Sequence, residues 1–363
     1  MKNLGRTAAL ATIILLIATL APATAGGRHD DGALRTVVGG LDGPRGLDAL
    51  GHGKTLITEI DGTFSLVIER RGKAPRVIEL GSLPGGFSPA IAAGKHGKIY
   101  ILTGGGPPDG PPAEGAATLY QWRYGYDQPK PVFDVAAYQT GDPDLDDLEG
   151  LPTTSNPFGL AALRDGSVLI ADAEGNDLIR WWPNGHAVTV ARLKPRLVDV
   201  PPELGLPFEE TEAEAVATSI TVGPDGYWYV GELRGFPATP GTSQIWRIKP
   251  GSVGAVCDPE KPWRGRCTRY ADGLTSIVDL GASRHSVYAV SLSKMSWLAA
   301  ESEEPIPGAE IGALYRLTKH HHKVWIKELA KGKLTLPGGV DVADHIYLTG
   351  PVFPPDGKLM KIK

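Results

Sequence analysis

One strand motif recurs along the chain and constrains the fold more than any other feature. After small or polar residues it places an aliphatic residue, an aromatic or aliphatic one, a basic or polar one and a further apolar one. A supersecondary unit repeated in this way indicates a solenoid, a propeller or an array. The motif occupies residues 117–122, 176–181, 243–248, 312–317 and 357–362, with a weaker copy at 63–68.

Three further strands accompany most copies of the motif. A second strand, rich in aromatic and β-branched residues, precedes the copies at 55–59, 99–103, 168–172, 228–232, 287–291 and 346–350. An innermost strand of small residues, suited to a crowded centre, comes earlier still at 44–47, 87–90, 157–160, 217–220, 274–277 and 337–340. A fourth, outer strand follows five of the copies at 76–80, 131–135, 187–191, 267–270 and 324–329.

Four strands in each of six units predict an all-β fold, a six-bladed β-propeller of four-stranded blades that spans residues 34–363. The last unit stops at its third strand, and residues 34–38 resemble the outer strands of the other units. We therefore expect the N-terminal strand to pair with the last blade and close the ring, which removes exposed sheet edges. The content of 47 Gly and 31 Pro in 363 residues suits a fold with this many turns. A β-sandwich pair is the alternative, but it does not explain six copies in one order.

The first 25 residues have the pattern of a secretory signal peptide. Lys2 and Arg6 precede an apolar run at 8–20, and an A-x-A cleavage site follows at 23–25. An uncleaved anchor is the alternative. Residues 26–33 would be a short leader, and the mature protein is predicted to be secreted, soluble, monomeric and without membrane insertion after cleavage.

The cysteines indicate the compartment of the protein, and the charge balance limits the classes of partner. Cys257 and Cys267 are the only cysteines and lie ten residues apart, which in an oxidising compartment favours a local disulfide. Two free, buried thiols are the alternative. The 37 basic and 41 acidic side chains give a net charge of −4, so no basic excess points to nucleic acid as a partner.

Four segments carry a resemblance to a known family. They lie at 155–160, 171–177, 223–237 and 273–279, and the stretch Gly-Glu-Leu-Arg-Gly-Phe-Pro at 231–237 is the most specific of them. The chain resembles the NHL and SMP-30/gluconolactonase-like propellers, and more closely the secreted ScyD/ScyE family. This resemblance implies a six-bladed propeller and export, but no established activity. The fifth blade departs from the family pattern at 281–285, where the usual Gly-Pro-Asp-Gly turn is replaced.

The predicted long loops and the histidines sort onto opposite faces of the propeller. Connections from second to third strands, and from fourth strands to the next first strands, form what we call the upper face. The other connections form the lower face. The five long insertions at 104–116, 138–155, 194–215, 234–242 and 293–311 all belong to the upper face, whereas the segment at 257–267 extends the lower one. Because no histidine falls on the upper face, the sequence argues against His-dependent hydrolysis or hydride abstraction there.

Carboxylates at strand ends are the candidate metal ligands. Glu59, Asp172 and Glu232 end second strands in blades one, three and four, so they could converge on the mouth of the central channel. Carboxylate and amide oxygens suit Ca²⁺, and the resemblance to lactonase-type propellers, which hold a divalent metal at the channel mouth, points the same way. The alternative is that Glu59 and Asp172 cap turns or pair with Arg45 and Arg180.

Two classes of function remain open at this stage. The first is a scaffold that binds a small-molecule ligand or a protein partner through the upper face, with Arg45, Asn156, Asn176 and Phe236 as candidate binding residues. The second is a Ca²⁺-dependent hydrolase or lactonase at the channel mouth. A quinone-dependent sugar dehydrogenase is a weaker third hypothesis, because the upper face lacks histidine. The acidic stretch at 141–150 departs from an EF-hand at its sixth and twelfth positions, so we expect a solvated acidic loop.

Overall fold

The computed structural model of the protein describes residues 33–84, 89–106, 113–321 and 323–362. The predicted signal peptide and all but the last residue of the predicted leader lie outside the described residues. The described chain forms a ring of six small antiparallel sheets, which confirms the predicted six-bladed propeller.

Each blade contains four strands, and the strands are numbered here in chain order. The first strand is β1 (Leu34–Leu41). Blade 1 contains β2 (Leu47–Gly51), β3 (Lys54–Thr58), β4 (Thr63–Arg70) and β5 (Lys73–Ser82). Blade 2 contains β6 (Ala90–Ala93), β7 (Lys98–Leu102), β8 (Thr118–Arg123) and β9 (Lys130–Asp134). Blade 3 contains β10 (Pro157–Ala162), β11 (Val168–Asp172), β12 (Asp177–Trp181) and β13 (Ala187–Leu193).

The second half of the chain repeats this order with two additions. A hairpin of β14 (Arg196–Asp199) and β15 (Glu210–Ala213) precedes blade 4. Blade 4 contains β16 (Ala217–Val222), β17 (Trp228–Glu232), β18 (Ser243–Ile248) and β20 (Cys267–Leu274), with the short strand β19 (Ala255–Cys257) inserted before its last strand. Blade 5 contains β21 (Ile277–Ala282), β22 (Val287–Ser291), β23 (Ala313–His320) and β24 (Lys323–Leu329). Blade 6 contains β25 (Gly339–Val342), β26 (Ile346–Gly350) and β27 (Gly357–Ile362), with β1 as its outer strand.

Among the described residues, helical segments are few and short. They are α1 (Val135–Thr140), α2 (Trp297–Ala300) and the 3₁₀ turns Lys95–Gly97 and Pro202–Leu204. Among the described residues, no helix is long and apolar enough to cross a membrane.

Ring closure follows the predicted scheme. Strand β1 pairs antiparallel with β27, so that Leu34 lies opposite Ile362 and Leu41 lies opposite Gly357. Blade 6 supplies only three strands of its own, and the N-terminal strand provides the fourth. The two ends of the propeller are therefore held in one sheet, which closes the ring.

The hydrophobic core is divided into six clusters, one at each junction between neighbouring blades. Strand β11 shows why the second strands of the blades have nearly continuous apolar sequences. Its residues Val168 and Ile170 pack with blade 2, whereas Leu169 and Ala171 pack with blade 4. Because successive side chains of a strand point to opposite faces, a strand buried on both faces needs apolar residues throughout.

Glycine allows the inner strands to approach one another. A Cβ atom on Gly159 would lie 2.8 Å from Ser219 Cα and 2.9 Å from Thr218 O in the next blade. A Cβ on Gly46 would lie 2.3 Å from Pro89 O. These contacts give the physical reason for the small residues that the sequence places at the centre of the ring.

The two cysteines form the expected disulfide, which holds a connection between blades. Cys257 and Cys267 are bonded, and both are buried. Strand β19, which ends at Cys257, pairs in parallel with β13 of blade 3. The disulfide bonds this added strand covalently to β20 of blade 4. Because β19 pairs with blade 3, the disulfide links two neighbouring blades.

Candidate ligand-binding face

The long connections gather on one face, as the alternation of antiparallel strands requires. The connections 103–117, 135–156, 194–216, 233–242 and 292–312 run from second to third strands or from fourth to first strands, and their described residues all lie on the upper face. The segment 249–266, which contains β19, is the long connection of the lower face. Loops carried by a rigid scaffold are where proteins most often place binding residues.

Charge is distributed unequally between the two faces. The described upper connections contain twenty-one Asp and Glu residues against seven Lys and Arg. The described lower connections contain six acidic residues, eight Lys and Arg, and six histidines, whereas no histidine lies in the described upper connections. The upper face is therefore strongly acidic in a protein whose net charge is only −4.

Three glutamates from three different upper connections come together between blades 3 and 4. Glu149 follows α1, Glu174 lies between β11 and β12, and Glu214 immediately precedes blade 4. The backbone N–H of Leu148 donates to Glu214 Oε1 at 2.7 Å, which links two of these connections directly. Their carboxyl groups are close enough to influence one another's protonation.

The protonation of these glutamates reflects burial and mutual repulsion. Burial, followed by the negative charges of Glu149, Asp172 and Glu214, raises the pKa of Glu174 to about 7. Burial raises the pKa of Glu214 to about 7 against the opposing effect of the hydrogen bond from Leu148. Within the described ranges, no Lys or Arg forms an ion pair with Glu149, Glu174 or Glu214. The group is therefore acidic, with no counter-ion from the described part of the chain.

Exposed apolar residues lie in segments that contact Glu214 through the backbone. Leu148 is 42% exposed and is adjacent in sequence to Glu149, and Phe236 is 49% exposed. Gly235, next to Phe236, donates its N–H to Glu214 O at 2.9 Å. We call the set Leu148, Glu149, Glu174, Glu214 and Phe236 the acidic–apolar patch.

A buried ion pair fixes the base of the loop that carries Phe236. Arg234 is 1% exposed and pairs with Glu232, and its Nη1 donates to Ala213 O at 3.1 Å and to Glu214 O at 3.2 Å. Its backbone φ is +75°, a conformation that costs a non-glycine residue energy and persists only where the surroundings enforce it. Phe236 therefore projects from a firmly anchored loop.

The three predicted metal ligands are engaged separately, each in its own blade. Glu59 accepts from Asp42 N at 2.6 Å. Asp172 accepts from Ser155 Oγ at 2.5 Å and Asn156 N at 2.7 Å, and it also accepts from Gly175 N in the turn that follows β11. The carboxylate of Glu232 accepts from Arg234 Nη2, Trp246 Nε1 and Gln244 N.

These contacts do not assemble a metal centre from the three carboxylates. Across the described ranges, no group of three or more His, Cys, Asp or Glu side chains is arranged to hold a metal ion. The Ca²⁺ site therefore stays a sequence-based prediction. Of the alternatives, turn capping fits Asp172, whereas Arg180 pairs with Asp165 instead of Asp172.

Two of the predicted binding residues organise loops. Asn156 Oδ1 accepts from Gly105 N at 2.9 Å. Asn176 donates from Nδ2 to Asp144 Oδ2 at 3.0 Å and accepts at Oδ1 from Val216 N at 2.7 Å. Asn176 thus ties together the connections that carry Glu149 and Glu214, and its role in binding stays a prediction.

Arg45 lies deeper than expected, in the central channel. Its guanidinium stacks 3.5 Å from the centre of the Phe158 ring, beside a cavity of about 30 Å³ that Asp279 also lines. Burial lowers the pKa of Arg45 to about 10, and the charge of Asp279 opposes this shift. Of the four predicted binding residues, Phe236 is the one that belongs to the acidic–apolar patch.

The prediction of a solvated acidic loop at 141–150 is wrong in part. Asp144 is buried and holds Asn176, and Asp142 pairs with Arg192. Leu145, in contrast, is 86% exposed. The first two carboxylates turn the loop inward, because Asp142 pairs with Arg192 of β13 and Asp144 accepts from Asn176 in the β11–β12 turn.

The glutamates of the patch were missed at the sequence level because nothing in the pattern links them. Glu149 and Glu214 are far apart in the chain, and neither belongs to a repeated motif. The one available signal was that each lies in a connection predicted for the upper face.

Comparison with solved structures supports the propeller. A glucose dehydrogenase is 17% identical with a TM-score of 0.58, and the match covers 91% of this chain and 99% of that one. The PQQ-bound form of an aldose sugar dehydrogenase from Streptomyces coelicolor is 15% identical with a TM-score of 0.55, covering 92% and 98%. A putative oxidoreductase (glucose dehydrogenase) from Thermus thermophilus is 18% identical with a TM-score of 0.55, covering 92% and 100%.

What these proteins share with this chain is the fold. At such low identity the similarity extends no further than the six-bladed propeller. No family model matches the sequence, and no curated protein matches it. The propeller expected from the family resemblance is thus confirmed, whereas membership of the ScyD/ScyE family stays a prediction.

Proposed function

We propose that this protein is an exported binding protein that takes up a ligand or protein partner on its upper face, centred on the acidic–apolar patch. The observation that carries the proposal is the convergence of three long connections, which bring Glu149, Glu214 and Phe236 to one place beside Glu174. Exposed apolar side chains near acidic groups offer a partner both apolar contact area and charge.

Export is supported by two features. Residues 1–25 have the pattern of a signal peptide, and the disulfide between Cys257 and Cys267 is of the kind that persists in oxidising compartments. The balanced overall charge gives no support to a nucleic-acid partner.

Sugar dehydrogenase chemistry is not part of the proposal. One structural neighbour is described as bound to PQQ, a quinone that carries three carboxylates. On the upper face of this chain acidic side chains outnumber basic ones three to one, which is a poor environment for a cofactor of that charge. We therefore derive no step through that cofactor.

A crystallographic screen of the full-length mature protein tests the proposed function. The probe is a library of small fragments in which cationic, anionic, neutral and sugar-like compounds are equally represented. Binding should concentrate at the acidic–apolar patch, whatever the charge class of the fragments. A screen in which fragments bind only the lower face or the outer strands would overturn the proposal.

A further inference from the structure

We propose that the acidic–apolar patch docks a protein segment in which Lys or Arg residues are flanked by bulky apolar residues. This inference rests on the proposed function and names the chemistry of the partner. Its basis is the juxtaposition of exposed apolar side chains with carboxyl groups that lack a counter-ion among the described residues.

The apolar part of the patch is held beside its carboxyl groups by backbone contacts. Leu148 donates its own N–H to Glu214, so its side chain and that carboxyl group cannot separate without breaking a 2.7 Å hydrogen bond. A Cβ added to Gly235 would lie 3.4 Å from Glu214 Cβ, and Gly235 donates its N–H to Glu214 O, so the backbone that carries Phe236 passes next to the same glutamate. Leu148 and Phe236 therefore belong to two segments that both contact Glu214.

The electrostatic part of the patch calls for a cation larger than a metal ion. No three carboxylates of the described residues are arranged around a metal position, yet the charges of Glu149 and Glu214 add to the effect of burial on the pKa of Glu174. A guanidinium or ammonium group on a flexible side chain can reach carboxyl groups spaced in this way. The ring of Phe236 can contribute a cation–π contact to the same group.

The extent of the surface favours a protein segment over a small amine. Further exposed apolar side chains, Leu145 (86%), Leu151 (37%) and Leu197 (58%), lie on upper connections outside the patch. The excess of acidic residues likewise extends over the whole upper face. A small amine would use the patch alone, whereas a basic segment with apolar residues would match both the surrounding charge and the outlying leucines.

Binding of such a partner should be coupled to proton release. A cation placed among the glutamates stabilises their ionised forms and lowers their pKa values. Glu149 and Glu174 of the patch, together with Asp147 beside Glu214 and the buried Asp172 beneath Glu174, are the acidic groups that face one another here. Affinity should therefore increase as the pH rises from about 6 to about 8.

Fluorescence anisotropy with labelled peptides tests the inference. The probe is a short peptide that alternates Arg with Leu and Trp. One matched peptide has Gln in place of Arg, a second has Ser in place of Leu and Trp, and a third has Glu in place of Arg. We expect the first peptide to bind, the Gln and Ser peptides to lose about tenfold in affinity each, and the Glu peptide not to bind.

Protein variants locate the binding. Glu174→Gln with Glu214→Gln should weaken binding about tenfold and remove its pH dependence, because both substitutions keep the side-chain shape and remove the charge. Phe236→Ala should weaken binding several-fold. Trp263→Ala, which removes a 70% exposed aromatic ring on the lower face, and Asp127→Asn on that same face are matched controls that should change nothing.

The outcomes separate the two proposals. Equal binding of the Gln and Arg peptides, or unchanged binding by the double variant with its melting temperature intact, would overturn the inference. Binding of free arginine amide as tight as that of the peptide would also overturn it, in favour of a small amine. If fragments occupy the patch but the basic peptide does not bind, the inference fails while the proposed function stands.

Discussion

The substitution Asp48→Asn should stabilise the propeller at alkaline pH. Three inner-strand carboxylates each accept a backbone N–H from the next blade: Asp279 from Val340 at 2.7 Å, Asp341 from Ala49 at 2.8 Å and Asp48 from Ala93 at 2.6 Å. An asparagine at position 48 keeps an oxygen that can accept from Ala93 but removes the charge.

The size of the effect follows from the protonation of Asp48. Burial, followed by the charge of Asp341, raises its pKa from 3.8 to about 7. The folded protein thus binds this proton more tightly than the unfolded chain, and stability falls as the pH rises from about 4 to about 7. Each unit of pKa corresponds to about 1.4 kcal/mol. Because Asp48 and Asp341 are only partly buried residues and solvent screens part of their interaction, we expect a gain of about 1–3 kcal/mol at pH 8 and none at pH 4.

Chemical denaturation of the wild type and the variant between pH 4 and pH 8 measures this difference. Asp127→Asn, in an exposed turn of the lower face, is the control and should leave stability unchanged at every pH. A variant that is less stable than wild type at pH 8, or a difference that does not vary with pH, would refute the argument.

Three further substitutions test how the ring is held. Replacing Cys257 and Cys267 by Ala should lower the free energy of unfolding by about 2–4 kcal/mol, because the cross-link between residues ten apart and the attachment of β19 are lost. Reduction of the disulfide in the wild type should lower the free energy of unfolding by the same amount. Glu232→Gln should lower the free energy of unfolding by about 3–5 kcal/mol, because Arg234 is left charged and buried. An unchanged denaturation midpoint would contradict this. Gly159→Ala should cost about 1–3 kcal/mol through its clash with blade 4, whereas Gly141→Ala, whose nearest neighbour is 3.5 Å away, should be tolerated.

The repeat pattern was sufficient to predict the blades because each blade obeys the same local rule. Strand β11 is apolar at every position that faces a neighbouring blade, and Gly159 is small because the next inner strand approaches it. Pairing of β1 with β27 was also predictable, since the last unit lacks an outer strand of its own. The metal hypothesis stays a prediction, because strand-end carboxylates in equivalent positions need not converge. Glu232 turns to Arg234 and Asp172 to the turn after its own strand.

The sequence by itself thus determined the number of blades, the order of their strands, the closure of the ring and the face on which the long loops lie. These features depend on periodicity and on neighbours in the chain, which the residue pattern records directly. Only the tertiary structure decided which loop residues meet. Glu149, Glu174 and Glu214 come from separate connections whose paths are set by long-range contacts, such as the link between Leu148 and Glu214 and the hold of Asn176 on Asp144. Contacts of that kind depend on how irregular segments fill space above the blades, and no local pattern encodes them.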